Sequence, residues 1–324
     1  MKWASLLPEL ICTIQSLSLL ILRPLNSASS AILSQFLKSI SAGKSPRCNL
    51  ISILILKYIY MKHTEILLFG ASGQIGRHLI RRLTRNNYKI TAVTRNYHQK
   101  GYLLKTQANP GYLNVVEANI FDVAKLNELV SNSNIVINLV GILSEKKNNT
   151  FQNIHTIFPD ILSGICKKNN IDQFIHLSAL GIEKANDSKY AKSKMDGEAL
   201  IVKNYKKSII LKPSLVYSVD DNFTTKFMTL LNLMPFFPLY YNGQTKFAPI
   251  HVTDMAEIIF QIVNKKINSE IIECVGPNIL TFKEIIEKLL KSIDKKRLLL
   301  PIPLSFARLA AYSFEILMRN PLMT

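Results

Sequence analysis

Tyr190 and Lys194, four residues apart in Tyr190-Ala191-Lys192-Ser193-Lys194, are the side chains of this chain best spaced for proton transfer. On a helix they share one face. A nearby ammonium lowers a phenol's pKa, so the phenol can give or take a proton during hydride transfer. Ser178, closing the apolar run Gln173–Ser178, is a third candidate, a hydroxyl able to orient a substrate carbonyl. The lysine can also bond a nicotinamide ribose, so two readings stand: a reacting pair, or a pair that holds a ribose without turnover.

Ahead of this pair lies a phosphate-binding pattern, Gly70-Ala71-Ser72-Gly73-Gln74-Ile75-Gly76-Arg77, with glycines at GxxGxxG spacing. Gly70 lets the chain turn sharply, Gly73 lets the backbone approach a pyrophosphate, and Gly76 lets helix pack closely on strand. Ser72, Gln74 and Ile75 stand at the start of the helix, whose unpaired N–H groups and partial positive charge face the phosphates. A dinucleotide site on residues 70–77 follows, because the triplet joins a strand to a helix at the head of a βαβ series.

The cofactor is expected to be NADP(H), with NAD(H) less favoured. The second strand ends Ala92-Val93-Thr94-Arg95-Asn96, with no acid to accept ribose hydroxyls. Arg95 can bond a 2′-phosphate, with Arg77 assisting; the bland alternative leaves Arg95 in solvent. Asp122, after the third strand, is a candidate adenine-side contact.

The elements that must position these groups are legible as periodicity. Ile66–Phe69, Lys89–Thr94, Leu113–Glu117, Ile135–Val140, Gln173–Ser178 and Ser208–Lys212 read as six strands. Ile75–Asn86, Val123–Ser131, Thr156–Asn169 and Tyr190–Asn204 read as the helices between them. That alternation predicts α/β architecture, a doubly wound parallel sheet of Rossmann type, over residues 61–215. Past Pro213 the rhythm breaks: Met234–Pro238 and Asn242–Gln244 read as loops, Thr253–Val263 and Phe282–Ser292 as helices, and Ile271–Cys274 as a strand. Residues 216–324 are thus expected to form a smaller mixed region over the carboxyl edge of the sheet.

The chain has 324 residues and a net charge of +18, with 48% apolar and 19% charged residues, a globular composition. Paired, dispersed lysines suit a solvated surface, or attraction to anionic headgroups or phosphorylated ligands; no nucleic-acid module accompanies them. Four scattered cysteines, without CxxC or His at ligand spacing, support neither a metal site nor a disulfide framework. Residues 1–60 hold eleven serines and one acid, and their apolar runs are too short to span a bilayer. Such a stretch resembles a transit peptide, or is dispensable, since Met61 runs directly into the first strand.

Beyond the glycine loop, several stretches resemble the atypical short-chain dehydrogenase/reductase family. In particular they look like the nucleotide-binding accessory subunits of respiratory complex I (NADH:ubiquinone oxidoreductase) and their alphaproteobacterial relatives. The stretches are Val136–Gly141, His176–Gly181, Tyr190–Lys194, Leu211–Tyr217, Asp221–Phe223, Phe247–Asp254 and Val275–Pro277. Val140 and Pro213, within them, join the cofactor-binding set as positions the resemblance implies. It also implies tightly held NADPH in a protein serving the assembly and stability of a membrane respiratory complex. The place would be the cytoplasm or cytoplasmic face of a bacterial inner membrane, or the mitochondrial matrix side if residues 1–60 are a transit peptide. The resemblance also implies a longer C-terminus than this chain has, and the first sixty residues have no counterpart in the family pattern.

Two apolar segments, Phe223–Tyr241 and Pro303–Met318, read as core or cleft lining, or as a surface for a membrane complex. Three functions follow: the accessory protein, an active NAD(P)H-dependent reductase or epimerase with an unidentified small-molecule substrate, and an NADP(H)-sensing regulator.

Overall fold

The computed structural model describes residues 64–302, apart from 147, 148, 186, 222, 268 and 269. The expectations for residues 1–60 and for a helix over 303–318 lie outside the described residues.

Strand β1 (Glu65–Phe69) is apolar on both sides because both of its faces are covered. Ile66 and Leu68 enter one core, while Leu67 and Phe69 enter the other. The chain proceeds through α1 (Gln74–Thr84), β2 (Lys89–Thr94), α2 (Tyr97–Lys105), β3 (Leu113–Glu117), α3 (Val123–Ser131) and β4 (Ile135–Asn138). A π turn (Gln152–Ile157) leads into α4 (Phe158–Lys168), followed by β5 (Gln173–Leu177), α5 (Lys189–Asn204) and β6 (Ser208–Pro213). Then come β7 (Val216–Tyr217), α6 (Thr224–Leu233), β8 (Phe236–Tyr240), β9 (Lys246–Phe247), β10 (Ile250–His251), α7 (Val252–Lys265) and β11 (Ile271–Cys274). The last are β12 (Leu280–Thr281), α8 (Phe282–Ser292) and β13 (Leu298–Ile302).

The main sheet has seven strands in the order β11-β6-β5-β4-β1-β2-β3. All its pairings are parallel. Helices α1 and α7 cover one face through Leu79, Ile80, Met255 and Ile259, and α3, α4 and α5 cover the other through Leu126, Phe158 and Ile201. The order reverses between β1 and β4, where a doubly wound sheet opens a crevice at its carboxyl edge.

Two expectations change. The sheet has seven strands, because Ile271–Cys274 pairs with β6, and α7 packs beside α1 on the main core. The chain therefore returns to the sheet after residue 215, and local periodicity cannot announce a return. Second, Phe236–Tyr240 is a strand, although Met234–Pro238 reads as a loop. It pairs with β13 in a two-stranded sheet, where Pro238 needs no donor toward a third strand. A third core of Phe227, Leu231, Phe237, Leu239, Phe282 and Ile286 lies beneath this pair.

Candidate functional site

The turn after β1 is built on glycine for steric reasons. Gly70 has φ +75°, and a Cβ there would stand 2.8 Å from the backbone carbon of Leu139, just past β4. The Gly73 N–H donates to Gly70 O at 3.0 Å, closing the turn. Helix α1 then starts with no side-chain cap and no acid of its own in its first turn, so none of its own side chains opposes its N-terminal dipole. Ser72 and Gln74 lie half-buried around it, and Ile75 packs on the core.

Residues 218–220 lie against this helix start, a contact that sequence spacing does not reveal. Gln74 Nε2 donates to Ser218 Oγ at 2.9 Å, and Arg77 pairs with Asp220 at 2.6 Å. Bonds from the Ser218 hydroxyl and from Arg77 hold the Asp220 carboxyl below the ordinary carboxylate range. Asp221 organises the segment by accepting the N–H groups of Phe223 and Thr224, each at 2.6 Å, and that of Ser218 at 3.0 Å. Arg77, expected to assist at a 2′-phosphate, is thus engaged by a carboxylate. A sequence signal existed only in the acidic pair Asp220-Asp221, which carries no sign of its partner 143 residues away.

Arg95 stands exposed past the end of β2, outside every ion pair among the described residues. Asn96 caps α2 by accepting from Gln99 N at 3.0 Å, so its side chain is occupied. Asp122 caps α3 by accepting from Lys125 N at 3.0 Å, which gives it a structural task beside the adenine-side role expected of it.

The other candidates gather along the carboxyl ends of β4, β5 and β6. Val140 N donates to Asn138 Oδ1 at 3.0 Å, and Asn138 Nδ2 meets His176 Nδ1 at 3.1 Å across the β4–β5 register. Burial holds His176 well below the ordinary imidazole pKa, so it is neutral. Ser178 is buried, and its hydroxyl has no hydrogen-bond partner among the described residues. Pro213 ends β6, and its carbonyl accepts from Leu180 N at 2.9 Å.

Lys194 is buried, and its Nζ donates to Leu177 O at 2.9 Å. Burial lowers its pKa to about 8, against the opposing pull of Glu198. Gly141 lies beside it: a Cβ there would stand 3.5 Å from Nζ, an ordinary contact. Glu198 also pairs with Lys212 at 3.1 Å, and Lys212 bonds Glu183 as well.

The expected lowering of the Tyr190 pKa is corrected. Burial raises it, and Lys194 donates to the Leu177 carbonyl. The Tyr190 ring instead packs edge-on against His155 at 5.2 Å and Phe151 at 5.7 Å. His155 accepts from Ile142 N at 3.1 Å and contacts Ser193 Oγ at 3.0 Å. Its pKa falls to about 3, through burial first and the Lys194 charge second. His155 was missed, because one histidine in an apolar segment signals nothing by spacing. Gly197 lets its helix segment sit so close, since a Cβ there would fall 1.9 Å from His155 O.

Gly70, Arg95, Val140, Ser178 and Pro213 therefore all follow or end carboxyl termini of parallel strands, and Tyr190 and Lys194 rise beside them on α5. The arrangement suits an extended ligand with phosphates at α1 and a polar end at Lys194. Among the described residues there is no cluster of His, Cys, Asp or Glu able to hold a metal ion, and no helix is long and apolar enough to cross a membrane.

A profile of the NAD dependent epimerase/dehydratase family matches residues 66–274. The chain is 27% identical over 237 residues to the NADH-ubiquinone oxidoreductase 40 kDa subunit, mitochondrial, of Neurospora crassa, covering 72% of this chain and 62% of the relative. It is 27% identical over 256 residues to NADH dehydrogenase (ubiquinone) 1 alpha subcomplex subunit 9, mitochondrial, of Dictyostelium discoideum, covering 78% and 71%. Among solved structures, UDP-glucuronic acid 4-epimerase from Bacillus cereus in complex with NAD superposes with a TM-score of 0.63 at 21% identity, covering 74% of this chain and 86% of that one.

Proposed function

The chain belongs to the NAD dependent epimerase/dehydratase family, and from that premise we propose that it binds NADP(H) as an accessory subunit of a membrane-bound respiratory complex, serving its assembly and stability. The observation that carries the dinucleotide is the uncapped, acid-free start of α1 behind a positive-φ glycine, at the point where strand order reverses. Residues 70–76 would hold the pyrophosphate. Tyr190 and Lys194 would hold the nicotinamide ribose, and the cofactor, when bound, supplies a hydride donor or acceptor. Arg95, exposed and outside any ion pair among the described residues, favours a 2′-phosphate, since β2 itself ends without an acid and the Glu117 carboxylate beside it accepts from Tyr97 N at 2.6 Å. The respiratory relatives support the setting, on the mitochondrial matrix side or its bacterial equivalent.

Purification of the tagged full chain from native membranes tests this reading. It is expected to migrate with NADH dehydrogenase activity on a native gel and to yield NADP(H) on extraction. In Arg95→Ala the extracted NADP(H) should fall by roughly tenfold or more, as loss of a charge-assisted phosphate bond implies. A chain found only in the soluble fraction, or one carrying NAD(H) that Arg95→Ala leaves unchanged, contradicts it.

A second reading, a reductase or epimerase, is favoured by the buried Ser178 hydroxyl, which has no hydrogen-bond partner among the described residues. Tyr190→Phe separates the two. A working phenol predicts loss of turnover by about a thousandfold with nucleotide affinity kept, and an accessory role predicts unchanged migration with the complex.

A further inference from the structure

The β8–β13 pair has two unlike faces. Phe237 and Leu239 point into the third core. The alternate positions stand on the other side: Phe236 is 46% exposed, Leu298 63% and Leu300 38%. Register sets Leu298 beside Phe236 and Leu300 beside Pro238. Leu233, 76% exposed, ends α6 three residues before Phe236. Single exposed leucines are ordinary, but adjoining ones fixed on a strand pair make a patch.

The turn that enters β13 carries three successive cations, Lys295, Lys296 and Arg297. Arg297 Nε donates to Leu231 O at 2.8 Å, and a terminal N–H donates to Asn232 O at 3.4 Å. Those bonds tie the basic turn to the end of α6, next to Leu233. Lys295 and Lys296 stand exposed at the border of the patch.

We infer that this face docks on an anionic lipid surface, with Phe236, Leu298 and Leu300 entering the headgroup boundary and Lys295 and Lys296 meeting lipid phosphates. Aliphatic residues rimmed by lysine match such a surface, where each nearby cation tightens binding about fivefold. Protein interfaces, in contrast, are depleted in lysine. The inference rests on the membrane-associated reading above and names its contact surface. Vesicles free of protein separate the two, since a subunit held only by protein contacts would ignore them and still migrate with its complex.

The full chain is to be sedimented with vesicles of phosphatidylcholine alone or mixed with phosphatidylglycerol. Mixed vesicles should bind it at least tenfold more tightly, and the double variant Lys295→Glu/Lys296→Glu should lose that preference, about the factor two cations supply. Leu298→Ser/Leu300→Ser should weaken binding while keeping the circular dichroism and thermal midpoint of the parent. Equal binding to both vesicle types, or variants that bind like the parent, would overturn the inference. So would vesicle indifference combined with self-association that Leu298→Ser abolishes, which would assign the face to a second copy of the chain.

Discussion

Gly73→Ala is expected to fold like the parent and bind dinucleotide about a hundredfold more weakly, a loss of roughly 2.7 kcal/mol. Gly76→Ala should lose both stability and binding. The two glycines differ in what a methyl group would meet. At Gly73 the backbone is extended, at φ −71° and ψ 172°, a conformation open to alanine, and its Cβ meets only Gly70 O, at 3.2 Å, a tight contact that a small shift of that carbonyl relieves. The methyl would instead stand in the space where phosphate oxygens approach the helix start. At Gly76 the Cβ would lie 2.5 Å from Ala71 O and 2.6 Å from Gly70 O, both backbone atoms of the loop itself. Those carbonyls must move, at an overpacking cost of about 1–3 kcal/mol, and the turn moves with them. Isothermal titration with NADPH and NADH, beside thermal melts, reads both effects. Parental affinity in Gly73→Ala would remove the phosphate role of the loop; a stable, tightly binding Gly76→Ala would remove the steric account of the turn.

The loop was legible because its physics is local: each glycine answers a clash within a few residues or with the adjoining strand. The same holds for α3 and α8. Apolar spacing marks them, and the caps Asp122 and Thr281 mark where they begin. Helix α2 passed unnoticed, since it buries only Gly101 and Leu104 and its apolar residues form no stripe. Strand β8 was hidden by Pro238 within it and Pro235 just before it, and β11 looked like part of a separate region because no local pattern names its neighbour β6. In the site, residue types were readable and partnerships were not. Nothing near Arg77 foretells Asp220, and helical spacing brings Lys194 toward Tyr190 without showing that a carbonyl of β5 takes its proton donor.

That last partnership yields the second large effect. Lys194→Met should make the free protein more stable than the parent by roughly 2 kcal/mol at pH 7, and the advantage should vanish as pH rises toward 10.5. The sign follows from protons bound. The folded chain holds the Lys194 pKa at about 8 through burial, whereas an unfolded lysine titrates near 10.4. Between those values the unfolded state binds more protons, so parental stability rises with pH across that window. Below about 8 the ammonium is charged in both states and the burial cost is felt in full, on the order of 3 kcal/mol. Methionine removes that cost but leaves the Leu177 carbonyl without its donor, which returns about 1 kcal/mol. Urea unfolding of parent and variant at several pH values isolates the effect, because the other lysines and tyrosines cancel in the difference. A difference that stays flat with pH would mean that Lys194 titrates like a solvated lysine. A protein that keeps a costly ammonium at this position gains from it elsewhere, and the gain is located if the same substitution weakens dinucleotide binding as it strengthens the fold.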